Sequence, residues 1–247
     1  MRALLLLLVA LAARAAEPDL RRSGRDTMSS ALRTLQADDA QHPAQLALAL
    51  GRELWGQGGK SCASCHGEPE KLRGAATRYP AWLNGEGGGI VDLPGRIQRC
   101  RVRHQQQPAW APEAEPLLAL TALVAQQSRG LPLAPPRSPE LDAAARQGQQ
   151  LYTTRLGALN LSCAQCHDER AGLRLGGSLI PQGHVDDYPV YRLEWQSLGS
   201  LQRRLRGCLS GVRAQVPAWD SAELLALEAY LARRSAGMPM QPPGVRP

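Results

Sequence analysis

The chain has 247 residues, with 29 Lys plus Arg against 22 Asp plus Glu and a formal charge of +7. That length supports one large domain or two small ones. A content of 43% hydrophobic and 21% charged residues excludes wholesale disorder, and six cysteines are too few for a disulfide-dense scaffold. No Lys/Arg-rich run is interleaved with aromatics, which argues against nucleic acid, while the mild basicity suits anionic small molecules or acidic proteins. Phe is absent and aromatic residues make up 4%, so the core lacks the side chains that usually bury the most area, and another apolar body is expected to fill it.

At the N-terminus, Arg2 precedes an apolar run from Ala3 to Ala13, and Ala13-Arg14-Ala15 offers a small-x-small cleavage pattern. This predicts a secretory signal peptide over residues 1–15 and a periplasmic mature chain. The run is roughly half of the ~20 residues a membrane-crossing helix needs, so no anchor is expected after cleavage. An N-terminal segment, 16–45, follows.

Two five-residue motifs organise the rest. Cys62-Ala63-Ser64-Cys65-His66 and Cys163-Ala164-Gln165-Cys166-His167 are both C-x-x-C-H, the c-type haem attachment pattern. Two thiols on one helical turn can form thioethers with the haem vinyl groups while the adjacent imidazole coordinates iron. A redox C-x-x-C or half a zinc site are the competing readings, and each needs a chance His after the second Cys, twice. Two covalently bound haem c groups are therefore expected, with Cys62, Cys65, Cys163 and Cys166 as attachment points and His66 and His167 as axial ligands. Buried porphyrin would also supply the apolar surface that Phe does not.

The motifs belong to a longer repeat. Gly51-Arg52-Glu53-Leu54-Trp55 parallels Gly148-Gln149-Gln150-Leu151-Tyr152, Pro108-Ala109-Trp110 parallels Pro217-Ala218-Trp219, and Leu117-Leu118-Ala119-Leu120 parallels Leu224-Leu225-Ala226-Leu227. Each copy closes on Gly then Pro, at Gly130 to Pro132 and Gly237 to Pro239. The pattern predicts a mainly α protein of two tandem units, 46–131 and 140–239, in an order that resembles a cytochrome c domain. A Pro-rich linker, 132–139, joins them, and 240–247 is a tail. Within the second unit, the Leu spacing predicts a helix from Ser221 to Arg234, capped by Asp220 or Ser221. The stretch from Gly85 to Gly89 is expected to be a loop with no strand before it.

Four cysteines are used by the motifs, leaving Cys100 and Cys208. Each lies after its motif at an equivalent point of its own unit, where a distal haem ligand is needed and where neither unit has a Met. They are assigned as distal thiolate ligands. A disulfide between the units, or ligation by His104 or His184, are the alternatives. Arg96, Arg99, Arg101 and Arg103 surround the first cysteine and Arg203, Arg204, Arg206 and Arg213 the second; such groups lower a thiol's pKa and bind oxyanions, or serve haem propionates and solvent. Both units contain Arg-x-x-x-Cys, at Arg96 to Cys100 and Arg204 to Cys208, so this spacing does not say which centre is catalytic.

Over nearly the whole mature chain the sequence resembles SoxA, the dihaem subunit of the SoxAX cytochromes of bacterial thiosulfate oxidation. The most specific segments are Gly176 to His184, Tyr188 to Trp195 and Leu201 to Cys208. The resemblance implies that Cys208 is the catalytic residue, a haem-ligating thiolate or persulfide, and that Arg204 binds substrate. It further implies oxidative conjugation of thiosulfate to a cysteine of SoxY in the SoxYZ carrier, with electrons passing to the monohaem SoxX partner and then to a soluble cytochrome c. A tetrathionate-forming thiosulfate dehydrogenase and a non-catalytic dihaem electron carrier are the other readings.

Overall fold

A computed structural model describes residues 19–85 and 88–247. The expected signal peptide lies outside the described residues.

The first unit is built from α2 (Gln45–Gly56) and α5 (Glu115–Gln126), and the second from α6 (Pro139–Thr153) and α9 (Ala222–Arg234). Their starts follow ordinary capping chemistry. The Ser138 and Ser221 hydroxyls accept the Leu141 and Leu224 amides at 3.2 and 3.3 Å, which confirms the expected helix and selects Ser221 over Asp220 as its cap. In each unit the paired helices cross at a glycine from the repeat. A Cβ on Gly51 would come within 2.6 Å of the Ala119 carbonyl oxygen, and one on Gly148 would collide with that of Ala226. Glycine costs roughly 1 kcal/mol inside a helix, and here the cost is offset by close backbone approach.

The motif helices α3 (Cys62–His66) and α7 (Cys163–His167) follow α2 and α6. After each comes a short antiparallel hairpin and a second helix: β1 (Ala81–Leu83), β2 (Gly89–Val91) and α4 (Leu93–Arg103) in the first unit, β5 (Val190–Arg192), β6 (Ser197–Gly199) and α8 (Leu201–Gly211) in the second. The second unit also carries a small hairpin of β3 (Arg174–Leu175) and β4 (Ser178–Leu179). The stretch from Gly85 to Gly89 therefore does follow a strand: Leu83 pairs with Gly89 and Trp82 with Ile90. Three residues are too few to show an alternating pattern, which is why the sequence hid this hairpin.

Two connecting segments are more ordered than expected. The Pro-rich stretch is pinned across both units, its Leu133 amide donating to Met238 at 2.9 Å and the Ala134 amide to Thr77 at 3.0 Å, and α6 already begins at its last residue. The segment 240–247, expected as a tail, contains β7 (Gly244–Arg246), which runs parallel to β5 with Tyr191 opposite Val245. In the N-terminal segment, α1 (Ser30–Ala37) holds that strand through Gln36, whose Oε1 accepts the Val245 amide at 3.1 Å. The buried His42 lies 2.9 Å from the Pro243 carbonyl, a structural role.

The units share apolar surface. Leu48, Leu118 and Ala122 of the first, with Ala44 of the N-terminal segment, pack with Leu198 of the second, and Ala76 and Ala125 of the first meet Leu133 of the Pro-rich stretch and Met240. Among the described residues, no helix is long and apolar enough to cross a membrane.

Candidate functional site

Each C-x-x-C-H motif occupies a single helical turn. The Ser61 hydroxyl accepts the Ser64 amide at 3.1 Å; Ser162 and Gln165 cap each other reciprocally at 3.2 and 3.0 Å. This places the two cysteines of each motif at i and i+3, on one face. The aromatic residue of the preceding helix then fixes the end of the motif. The Trp55 indole donates to the Gly67 carbonyl at 2.8 Å, and the Tyr152 hydroxyl donates to Asp168 Oδ1 at 3.0 Å, both acceptors being the residue after the histidine.

The histidines differ in setting. His66 is exposed, its ring 6.0 Å from that of Trp55. His167 is half-buried, with Nδ1 2.8 Å from the Pro181 carbonyl. A carbonyl only accepts, so Nδ1 carries the proton and Nε2 is left as the coordinating nitrogen.

In the second unit the predicted residues converge. A cavity of about 130 Å³ has Cys163 and His167 from α7 on one wall, Arg204 and Cys208 from α8 on another, and Tyr152, Leu227 and Leu231 as apolar lining. The His167 ring faces the Cys208 sulfur. Burial alone would raise the Cys208 thiol, but the facing His167 and the charges of Arg204 and Arg192 outweigh it and bring the thiol below its ordinary value. Burial instead pushes Cys163 up to about 11, with the nearby Cys208 adding to it. Tyr188 is half-buried beside Arg204 and Cys208, and its hydroxyl is pushed up to about 12, burial being the main cause.

The first unit repeats this arrangement in part. Cys62 packs beside Trp55, Leu120, Ile97 and Trp110, and Cys100 is near enough to raise its thiol, after burial. Cys100 shares a cleft with Arg96, Arg99, Arg103, His104 and Asn84. Tyr79 stands to Arg96 and Cys100 as Tyr188 stands to Arg204 and Cys208.

The alternatives raised for the spare cysteines fare unequally. All six cysteines are unpaired, and Cys100 and Cys208 lie in separate units, so no disulfide joins them. His104 follows α4 and borders the Cys100 cleft, whereas His184 is tied by Nδ1 to the Ser235 hydroxyl at 3.3 Å, its basicity lowered to about 4 by burial and by Arg234 and Arg21. Three of these eight arginines pack on indole rings: Arg203 lies 3.9 Å over Trp195, Arg206 is over Trp219 and bonded to the Pro217 carbonyl, and Arg101 is over Trp110. Arg213 is exposed in a turn. A cavity-lining residue that sequence reasoning missed is Arg192, on β5. The hairpins align Tyr79-Pro80-Ala81-Trp82-Leu83 with Tyr188-Pro189-Val190-Tyr191-Arg192, so the signal was a mismatch inside a repeat that had not been extended that far.

The donor set fits haem c. Paired thiols stand one turn apart, the His167 nitrogen is oriented by a backbone carbonyl, the cavity wall is apolar and a thiol faces the imidazole.

The family model described as SoxA/TsdA, cytochrome c domain, matches residues 50–133 and 147–240. The chain is 34% identical to the L-cysteine S-thiosulfotransferase subunit SoxA of Pseudaminobacter salicylatoxidans, over 87% of this chain and 77% of that one. The chain belongs to the SoxA family. The subunit of the same name from Rhodovulum sulfidophilum is 30% identical, over 91% of this chain and 80% of its own. The crystal structure of SoxXA from P. pantotrophus matches with a TM-score of 0.87 at 28% identity, covering 92% of this chain and 87% of that one. Membership carries the cytochrome c domain fold and covalent haem c with it.

Proposed function

We propose that this chain is an L-cysteine S-thiosulfotransferase subunit that joins thiosulfate to a carrier-protein cysteine, the SoxY cysteine of SoxYZ, in a periplasmic heterodimer with a monohaem SoxX. Two haem c groups are attached at Cys62 with Cys65 and at Cys163 with Cys166. His66 with Cys100, and His167 with Cys208, would hold the two irons. The observation that carries the reading is the meeting of Cys208, Arg204 and His167 in one cavity, with the thiol lowered in spite of its burial.

In the reaction one S–S bond forms between the thiosulfate sulfane sulfur and the carrier sulfur, the carrier thiol loses its proton, and two electrons leave for a downstream cytochrome c. Haem, when bound, supplies a one-electron acceptor beside the Cys208 sulfur. Cys208 engages the sulfane sulfur as an electron-rich thiolate. Arg204, one helical turn away on α8, holds the sulfonate end with a forked pair of donors. Tyr188 and the leucines of the wall exclude water, which strengthens both interactions.

The test is attachment of thiosulfate to the SoxY cysteine, read by intact mass, with the chain co-expressed with SoxX as wild type and as Cys208→Ala. An adduct formed by wild type alone is the expected result. No adduct from wild type with both haems present and reducible overturns the proposal, and tetrathionate as the product would replace it with thiosulfate coupling.

A further inference from the structure

The two units form an internal control. Both keep the Tyr-Pro pair before the hairpin, and both keep Arg four residues before Cys, yet at the third hairpin residue the first unit has Leu83 and the second Arg192. Leu83 borders the Cys100 cleft, whereas Arg192 borders the Cys208 cavity. The substitution thus replaces an apolar group by a cation at corresponding places of two clefts.

Arg192 is incompletely provided for as a structural arginine, although its guanidinium lies 5.0 Å over the Trp195 ring. Its side chain is 13% exposed, and Glu194 Oε1 lies 3.0 Å from Nε. That contact is an ion pair without hydrogen-bond alignment, so Nε is buried with no hydrogen-bond partner among the described residues. Burial, and then the like charge of Arg204, make the cation less favourable, with Glu194, Tyr188 and Cys208 offsetting only part. Two guanidiniums facing one cavity, repelling each other and short of acceptors, are what a bound oxyanion relieves.

We infer that Arg192 is a second substrate-binding arginine, clamping with Arg204 the sulfonate of a divalent thio-oxyanion and selecting it over monovalent sulfonates. The inference rests on the proposed thiosulfate chemistry of the Cys208 centre. It also bears on what the Arg-x-x-x-Cys spacing leaves open: at the third hairpin residue the Cys208 cavity gains a cation where the Cys100 cleft has Leu83, and the other guanidiniums of that cleft, Arg99 and Arg103, come from α4 itself.

The experiment uses the full haem-loaded chain with its monohaem partner, as wild type, Arg192→Leu and Arg192→Lys, titrated calorimetrically with thiosulfate and with methanesulfonate. Arg192→Leu, which installs the first unit's residue, is expected to weaken thiosulfate roughly ten- to a hundredfold, the usual worth of a charged hydrogen-bonded contact. Methanesulfonate should weaken much less, so that the ratio of the two affinities falls. Arg192→Lys should recover part of the loss, since it restores charge but not the fork. That ratio does not move when a fold merely loosens, and the lysine variant keeps the Glu194 ion pair if the leucine variant folds badly. Thiosulfate binding and selectivity equal to wild type in both variants would overturn the inference. Failure of wild type to form the carrier adduct would overturn the proposed reaction instead, with the anion titrations still deciding the role of Arg192.

Discussion

Asp92 of the first unit and Glu228 of the second are buried at the seam between the units, close to Gln202. Gln202 Nε2 donates to Asp92 Oδ2 at 3.3 Å and to Asp220 Oδ1 at 3.1 Å, and the Glu228 carboxyl lies beside these groups. Burial pushes Asp92 up to about 7, with Asp220 adding to it, and lifts Glu228 well above its ordinary value, with Asp92 and Asp220 as the neighbouring charges. Both carboxyls hold their protons more tightly in the folded than in the unfolded chain.

The sign of the resulting pH dependence is set by that difference. Between the ordinary carboxylate range and about pH 7 the folded state binds more protons, so stability is greatest at the acidic end of the interval and falls as pH rises through it. Thermal unfolding followed by far-ultraviolet dichroism should give a melting temperature that drops by several degrees between pH 5 and pH 8. Glu228→Gln removes one buried titratable group while keeping its size and shape, and should flatten that slope and raise the melting temperature at pH 8. An unchanged slope in the variant would place the pH dependence elsewhere.

The helix crossings predict an unequal pair of substitutions. A Cβ at Gly148 runs into the Ala226 carbonyl and also meets the Tyr230 Cβ, whereas one at Gly51 meets the Ala119 carbonyl at the longer distance of 2.6 Å. Glycine-to-alanine substitution within a helix ordinarily stabilises slightly, but steric conflict with backbone reverses the sign. Both Gly51→Ala and Gly148→Ala should destabilise, by about 1–3 kcal/mol, with Gly148→Ala the worse of the two. Chemical denaturation of each variant measures this, and a stabilised Gly148→Ala would mean that the helices separate at little cost.

These crossings show what a single sequence reveals. The duplication was legible because haem motifs, crossing glycines and Leu/Ala-rich helices recur as short, chemically constrained strings. The hairpins were not, since strands of three residues carry no period, and neither was β7, whose Gly-Val-Arg is held by pairing with β5 and by Gln36 from far along the chain. Cys208 and Arg204 were visible through their helical spacing and the family resemblance. Arg192 lay outside that frame because its partner in the repeat is Leu83, and the correspondence emerges only once both hairpins are aligned. The packing of Arg101, Arg203 and Arg206 on tryptophans was hidden for a related reason: a sequence rich in arginine near a thiol does not distinguish those stacked on indole rings from those facing a cavity.

The bond between Tyr152 and Asp168 sets a smaller effect. Tyr152 is 2% exposed and donates to Asp168, which is also ion-paired to Arg234. Tyr152→Phe therefore leaves the carboxylate with a partner, and should cost about 0.5–1.5 kcal/mol in unfolding free energy with haem attachment intact. A loss of haem incorporation in this variant would give the hydroxyl a part in placing the motif that the remaining ion pair does not replace.

Arg204 allows the division of labour at the Cys208 centre to be measured. It faces the same cavity as Cys208, one helical turn away on α8, so it can hold an anion beside that sulfur. Arg204→Gln keeps donors but loses charge and fork: KM for thiosulfate should rise roughly tenfold or more, while kcat stays within a few-fold of wild type, because iron ligation would hold the Cys208 sulfur as thiolate without help from Arg204. Arg204→Lys, which retains the charge but not the fork, should show a smaller rise in KM. Steady-state kinetics of both variants with the haem-loaded protein measure this. A large loss of kcat with KM unchanged would mean that Arg204 acts on the reacting sulfurs and not on the binding of the sulfonate.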